Sequence, residues 1–148
     1  MPDRVQPDTT WDGLPIAHEP PFGAAVVVFR NRGSGCELLL LHRAHSGPDY
    51  SGDWAWTPPS GARRPGESPA AAAARELREE TGLDLPLARI ESRDPDLALY
   101  VAEAPHGSAV VVDAEHDAHR WLPLEAAAEL CLPAMVAEGL RTAARASA

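Results

Sequence analysis

The chain has 148 residues, of which 45% are hydrophobic and 24% charged, which predicts one globular domain with a sizeable core and excludes global disorder. Its 13 basic and 22 acidic residues give a formal net charge of −9, which argues against general binding of nucleic acid or of an anionic membrane. All 13 basic residues are arginines, so chemistry that depends on lysine, such as Schiff-base formation or a P-loop, is excluded.

Residues 1–21 are rich in Pro, Asp and Thr, and we expect a flexible arm there, followed by a single domain over residues 22–148. The chain contains no apolar run of membrane-spanning length and no apolar signal segment, so we expect a cytoplasmic protein without a membrane partner. Many alanines and the lack of lysine are typical of a GC-rich bacterial genome. Cys36 and Cys131 match no metal or redox spacing, which favours two reduced thiols over a disulfide.

The sequence of the first half of the domain predicts a pair of strands. Residues 23–30 and 37–43 are short apolar runs, and the turn residues 31–35 between them favour a hairpin. Residues 44–61 are loop-rich, and the pair Pro58-Pro59 permits only an edge strand or an extended segment there.

The clearest helix is predicted over residues 69–81. Ser68 is a favourable N-cap, Pro69 suits the first helical position, five alanines follow, and Gly82 suits the position after the last turn. Downstream, the pattern predicts strands over 87–91, 97–104, 109–112 and 119–122, and helices over 125–130 and 134–146. This alternation predicts an α/β or α+β domain with a mixed sheet.

Three glutamates share one face of the predicted helix. Because an α-helix turns about 100° per residue, Glu76, Glu79 and Glu80 fall within an arc of about 100°. Like charges about 4 Å apart repel by roughly 4 kcal/mol at an effective dielectric constant near 20, and a divalent cation would offset this repulsion. We expect the opposite face to pack on the sheet; it consists of Ala70, Ala73, Ala74 and Leu77. The same glutamates would also fit a solvated face with i,i+4 pairs such as Arg75 and Glu79.

The spacing around the glutamates decides between these interpretations. Gly61 is followed after five residues by Glu67 and after seven more by Arg75, and the chain continues as Glu-Leu-Arg-Glu-Glu-Thr-Gly-Leu to residue 83. All nine defined positions over residues 61–83 match the Nudix box, and the chain therefore resembles the Nudix hydrolase family. The resemblance implies the Nudix fold, an α/β/α sandwich around a central mixed β-sheet.

The resemblance also implies roles for the residues of the box. The implied ligands of a Mg²⁺ or Mn²⁺ cofactor are Gly61, through its carbonyl oxygen, Glu76, Glu79 and Glu80. The general base would be one of the catalytic carboxylates Glu76, Glu79 and Glu80, with Glu79 or Glu80 favoured, or a metal-held water beside it. Arg75 would pair with Glu67 to fix the loop against the helix, or would orient Glu79 in the catalytic set. Glu115 is a candidate late acidic ligand or base, and a solvated loop glutamate fits this position equally well.

Two further segments resemble one branch of the family. Residues 56–61 and 115–122 are similar to asymmetrical diadenosine tetraphosphate hydrolases of the animal type. Ser60 and His119 stand where that branch usually has lysine and tyrosine, and the hairpin over residues 94–106 is shorter here. Candidate substrate-binding residues are two arginines for phosphate and two aromatic side chains for a base: Arg43, Arg63 (or its neighbour Arg64), Tyr50 and Trp54.

The implied reaction is metal-dependent hydrolysis of a pyrophosphate bond in a nucleoside diphosphate linked to another moiety. A dinucleoside polyphosphate or a (d)NTP is the favoured substrate, and a nucleotide sugar is a further possibility. One alternative is a nucleotide-sensing Nudix domain without turnover, against which the three intact glutamates argue; another is an acidic-helix protein with no site. The expected partner is a small nucleotide and no nucleic acid, and analogy with the family suggests a homodimer.

Overall fold

The computed structural model describes residues 8–10 and 12–146. The strands in this part are β1 (Gly23–Arg30), β2 (Glu37–Arg43), β3 (Trp56–Thr57), β4 (Ser60–Ala62), β5 (Ala88–Ile90), β6 (Leu97–Glu103) and β7 (His116–Leu122). The helices are α1 (Pro69–Thr81), α2 (Leu124–Leu130) and α3 (Ala134–Ala146).

A mixed sheet lies at the centre of the domain, as predicted. Its strands follow the order β3-β2-β1-β6-β5, while β4 pairs with β1 and β7 pairs with β2. β1 is parallel to β6 and antiparallel to β2 and β4. Residues 24–29 of β1 and 38–42 of β2 are buried without interruption, because both faces of the sheet are covered.

Helices cover both faces of the sheet, which confirms the predicted sandwich. On one face α1 contributes Ala72, Ala73 and Leu77 to a core cluster. On the other face α2 and α3 contribute Ala127 and Leu140 to a second cluster. No helix in the described residues is long and apolar enough to cross a membrane.

Helix α1 has the ends that its sequence predicts. The Ser68 side chain accepts a hydrogen bond from the Ala71 N–H at 3.1 Å. Gly82 adopts a φ of 74°, and its N–H donates to the Arg78 carbonyl at 2.9 Å. Glycine adopts this left-handed backbone conformation without steric strain, and the helix ends at this point.

The buried face of α1 differs from the predicted one. Ala70 is exposed, and the buried face instead includes Ala72, Glu80 and Thr81. Residues beyond the helix cause the difference: β4 and the segment 109–112 cover its last turn, where the Val111 N–H donates to the Thr81 carbonyl at 3.0 Å.

The strand predicted over residues 109–112 is wrong, because this segment is irregular. Val110 and Val112 do pack on the core cluster beside α1, while Val111 is 70% exposed. The alternation of buried and exposed side chains is strand-like, but the backbone bonds to the end of α1 and not to a neighbouring strand. The strand predicted at 119–122 is longer than expected and begins at His116.

The amino-terminal segment is attached to the domain over the residues that the structure describes. Ile16 and Ala17 are buried, and the Ala17 N–H donates to the Arg63 carbonyl at 2.8 Å. These contacts are closer than the predicted flexible arm implies. Residues 1–7 and 11 of that arm lie outside the described residues, and the domain boundary at residue 22 stays a prediction.

Both cysteines are free, as the sequence favours. Cys131 lies buried in the core cluster beneath α2 and α3. Burial raises the pKa of its thiol to about 12, so this side chain stays protonated and packs as a small apolar group.

Candidate active site

Gly61 lies where strand β4 passes beneath helix α1. It pairs with Ala24 of β1, and a Cβ at this position would overlap the carboxyl group of Glu76. The Glu76 side chain is only 12% exposed. A side chain at residue 61 would therefore displace the Glu76 carboxyl group from the backbone, and the predicted pair Gly61 and Glu76 is brought together.

Glu67 and Arg75 form a two-pronged ion pair between the loop and the helix. Arg75 Nε donates to Glu67 Oε2 at 2.8 Å and Nη2 donates to Oε1 at 2.9 Å. The hydrogen bond from Arg75 is the main reason that the pKa of Glu67 lies below its usual range. Arg75 Nη2 also donates to the Ala62 carbonyl at 3.0 Å. The pair therefore fixes the loop between β4 and α1, as the sequence predicts.

The other edge of the same guanidinium faces two of the glutamates. Arg75 Nη1 donates to Glu76 Oε1 at 2.8 Å and to Glu79 Oε2 at 3.3 Å. Chiefly its hydrogen bond to Glu67, and then the charge of Glu76, raise the pKa of Arg75 above its usual range. The two roles predicted as alternatives, clamping the loop and orienting Glu79, are thus both compatible with one geometry.

Glu80 is buried, although the sequence predicts its acidic face of the helix to lie opposite the face that packs on the sheet. It is 2% exposed, and its Oε1 accepts a hydrogen bond from the Ser60 N–H at 3.0 Å. Burial raises the pKa of Glu80 far above its usual range, and the hydrogen bond and negative charge of Glu76 raise it further. Burial beside Glu76 therefore favours the protonated form of this carboxyl group in the absence of a metal ion.

Glu79 is the accessible member of the three. Its side chain is 49% exposed, and Arg64 Nη2 lies 3.8 Å from its Oε1. Together with the contact from Arg75, this places the carboxylate between two arginines at the surface of the helix. Water can reach the Glu79 carboxylate, whereas Glu80 is closed off.

Glu115 lies near the helix glutamates, just ahead of β7. Burial raises its pKa, and the negative charges of Asp113 and then Glu76 raise it further. Sequence reasoning missed Asp113, whose only signal was the acidic run ahead of β7. His116 Nδ1 lies 2.7 Å from Asp113 Oδ1 and so holds this carboxylate in place. The loop thus adds two carboxylates to those of the helix.

The donor set fits a hard divalent cation, since it consists of carboxylate and carbonyl oxygens. It comprises Gly61, Glu76, Glu79, Glu80, Asp113 and Glu115. No three Asp, Glu, His or Cys side chains of the described chain already form a metal-binding group; Arg75 draws Glu76 and Glu79 toward itself. The buried contact between Glu76 and Glu80 is the observation that points to a cation, because two such carboxyl groups need either a shared proton or a positive ion.

Arg63 does not belong to this site. It is 5% exposed, and its side chain donates to the carbonyl oxygens of Glu19, Pro21 and Glu67. It therefore holds the amino-terminal segment against the loop of the box. This corrects the prediction that Arg63 contacts phosphate, whereas Arg64 lies at the surface beside Glu79.

The other candidate substrate residues lie around the end of β2. Arg43 is half-buried and stands opposite His116 in the β2–β7 register, near Glu115. The Tyr50 hydroxyl donates to the Asp53 carbonyl at 3.0 Å, so its ring folds back on its own loop. Trp54 is 40% exposed and is the aromatic side chain of this loop that remains available for stacking.

Comparison with known proteins gives the same family as the box. A sequence model described as the NUDIX domain matches residues 19–145. A bis(5'-nucleosyl)-tetraphosphatase [asymmetrical] of Sus scrofa is 33% identical over 124 residues, covering 71% of this chain and 80% of that protein. An octanoyltransferase of Myxococcus xanthus is 34% identical over 134 residues, or 82% of this chain, but the chain spans only 36% of that protein.

Among solved structures, a C. elegans Ap4A hydrolase in a binary complex is similar to this chain. The TM-score is 0.68 and the sequence identity 26%, with 84% of this chain and 97% of the other covered. The E. coli dihydroneopterin triphosphate pyrophosphohydrolase shares the fold, with a TM-score of 0.63 at 24% identity and coverage of 84% and 95%.

Proposed function

Because the chain belongs to the Nudix family, we propose that it hydrolyses a pyrophosphate bond of a nucleotide with the help of a divalent cation. The observation that carries this proposal is the group of carboxylates at Gly61, in which Glu80 is buried against Glu76, and Glu76 in turn accepts a hydrogen bond from the Arg75 clamp. Burying one carboxyl group against another costs free energy unless a proton or a cation lies between them, and a bound cation would offset that cost.

The residues divide the chemical work between them. Glu76, Glu79, Glu80 and Glu115, with Asp113 and the Gly61 carbonyl oxygen, would hold Mg²⁺ or Mn²⁺. The bound cation supplies charge neutralisation for the phosphates and a lowered pKa for water. Glu79 accepts the proton of the attacking water at its carboxylate, because it is the exposed glutamate of the three. Arg75 orients that carboxylate through its hydrogen bond from Nη1 to Oε2.

The substrate class we propose is a dinucleoside polyphosphate; with a tetraphosphate, asymmetric cleavage by water gives a nucleoside triphosphate and a nucleoside monophosphate. The tetraphosphatase and Ap4A hydrolase relatives support this choice. Arg43, beside Glu115, would contact the phosphate chain, and Trp54 would stack on a base. We place the activity in a bacterial cytoplasm, since the arginine-only basic residues are typical of a GC-rich bacterial genome.

The test is a panel of nucleotides incubated with Mg²⁺ or Mn²⁺, with the products identified by chromatography. The panel contains diadenosine tetraphosphate, the (d)NTPs with an oxidised guanine form, ADP-ribose and nucleotide sugars. We expect ATP and AMP from diadenosine tetraphosphate, and roughly a 100-fold or larger loss in Glu79→Gln, as general-base removal typically costs. Glu129→Gln is the matched control, because Glu129 is an exposed glutamate on α2.

Two results would overturn the proposal in different ways. Release of pyrophosphate from a single triphosphate, with no cleavage of the dinucleotide, would replace the substrate class but keep the reaction. Nucleotide binding without any turnover, by a folded protein supplied with metal, would identify a sensing domain.

A further inference from the structure

A buried histidine that the proposed reaction does not use lies at the end of β2. His42 is 2% exposed, and both of its ring nitrogens are engaged. Nδ1 lies 2.6 Å from Asp117 Oδ1, and Nε2 lies 2.6 Å from the Tyr50 carbonyl oxygen. The ring is also tilted against that of Trp56, with the centroids 4.8 Å apart.

The hydrogen bonds fix the orientation of this ring. A peptide carbonyl and a carboxylate both only accept, so Nε2 donates to the Tyr50 carbonyl and Nδ1 to the Asp117 carboxylate when both ring nitrogens carry a proton. A histidine bonded on both sides and nearly closed off from water holds two segments of chain at a set distance from β2.

Asp117 reaches His42 because of a bulge in the sheet. In the β2–β7 register, His42 stands opposite Ala118 and Arg43 stands opposite His116, so Asp117 is the extra residue. Bulges of this kind redirect a side chain and occur often beside active sites. Asp117 follows Glu115 by two residues, and the bulge therefore sets how that end of β7 meets the carboxylates.

Two neighbouring backbone hydrogen bonds connect the end of β2 to both sides of the site. The Ala44 N–H donates to the Glu115 carbonyl at 2.9 Å, and the Arg43 N–H donates to the Ala55 carbonyl at 2.9 Å. Glu115 is on the metal-binding side, whereas Ala55 closes the loop 44–55 that carries Tyr50 and Trp54. The end of β2 is therefore shared by the two halves of the site.

We propose that His42 and Asp117 are positioning residues that hold the loop 44–55 and the Glu115 end of β7 in register with each other. Neither touches the reacting atoms: His42 acts through the Tyr50 carbonyl and Asp117 through the bulge beside Glu115. The kinetic part of this inference rests on the proposed hydrolase function, and its structural part does not.

The kinetic test uses His42→Gln, Asp117→Asn and the double variant, with His106→Gln as control. His106 is an exposed histidine that bonds to Asn31, away from β2. We expect kcat/KM to fall roughly 10- to 100-fold, the range for loss of a supporting residue around a metal site. His42→Gln should act mainly on KM through the loop, and Asp117→Asn mainly on kcat through Glu115. The double variant should lose less than the product of the two single losses, because each single variant already breaks the contact between the two side chains.

The second measurement does not depend on turnover. Amide hydrogen exchange of residues 44–55 should become faster in His42→Gln and stay unchanged in His106→Gln. The affinity for Mn²⁺ alone should weaken about tenfold in Asp117→Asn. If His42→Gln does not fold, Asp117→Asn decides by itself. The Asp117 side chain is 28% exposed, so its substitution disturbs the core less.

The outcomes separate this inference from the proposed function. Wild-type protein that hydrolyses nothing in the panel, together with faster exchange in His42→Gln and weaker Mn²⁺ binding in Asp117→Asn, would sink the function and keep the positioning role. Folded variants with kcat/KM within threefold of wild type, unchanged exchange and unchanged Mn²⁺ affinity would overturn the positioning role and leave the function standing.

Discussion

At the Arg75 side chain, all five N–H donors of one guanidinium are used. They are divided among both oxygens of Glu67, the Ala62 carbonyl, Glu76 and Glu79. A lysine has three donors on one atom and no planar fork, so it could not connect strand, loop and two glutamates at once. One residue therefore sets both the shape of the loop and the direction of two candidate ligands.

The Gly61→Ala variant tests the close approach of backbone and carboxyl group. The added methyl would overlap Glu76, so that side chain must move, and we expect activity to fall roughly 100-fold and stability by about 1–3 kcal/mol. Gly139→Ala is the matched control, because a Cβ there meets open space within α3, and it should raise stability by about 0.5–1 kcal/mol. Activity assays with urea unfolding check both; equal activity in the two variants would contradict the interpretation.

Helix α1 is the element that brings the carboxylates to the sheet. Ala72 and Ala73 are fully buried, and their small side chains let the helix lie close to β1 and β4. This short distance allows Glu76 to contact Gly61 and Glu80 to reach the Ser60 N–H. A larger residue at either alanine would lift the helix and separate the carboxylates from the strand.

The amino-terminal cap of this helix should affect stability without changing the chemistry. Ser68→Ala removes the bond to the Ala71 N–H and should lower the free energy of unfolding by about 1 kcal/mol. Ser68→Asp keeps an acceptor and should retain most of the stability. Because the Ser68 side chain bonds to the backbone of the first turn, whereas the clamp of Glu67 and Arg75 is held by its own hydrogen bonds, we expect kcat of the folded protein to stay within twofold at 25 °C. A large loss of kcat in Ser68→Ala would show that the first turn contributes to the site.

The local sequence pattern predicted helix α1 and the residues of the box well, because the capping residues and the spaced box residues all lie within one short segment. Three features depended on residues distant in sequence and could not be predicted this way. Glu80 is buried by β4 and the segment 109–112, and that segment itself bonds to α1 instead of forming a strand. Arg63 is occupied by the backbone of residues 19–21, a contact that no spacing within the box reveals.

For the whole molecule, two of the carboxyl groups make the free energy of unfolding depend on pH in opposite directions. Glu67 has a lowered pKa in the folded protein, so its contribution is present at neutral pH and is lost as pH falls through that value. Glu80 has a raised pKa, so the folded metal-free protein holds a proton that the unfolded chain releases above its ordinary pKa. The free energy of unfolding therefore falls as pH rises, by up to about 1.4 kcal/mol per pH unit from this group.

The Glu80→Gln variant separates this effect from metal binding. Glutamine stays neutral at every pH and can keep the bond from the Ser60 N–H, so in EDTA we expect the variant to be more stable than wild type at pH 8. The difference should shrink toward pH 5, where the unfolded Glu80 also becomes protonated.

Mg²⁺ should stabilise wild type, because a cation replaces the buried proton, and should stabilise Glu80→Gln much less while activity is lost. Thermal unfolding from pH 5 to 9, with EDTA or Mg²⁺, measures all of this. If the unfolding temperatures of the two proteins in EDTA change in parallel with pH, Glu80 is ionised in the metal-free fold. Its burial is then no argument for a bound cation.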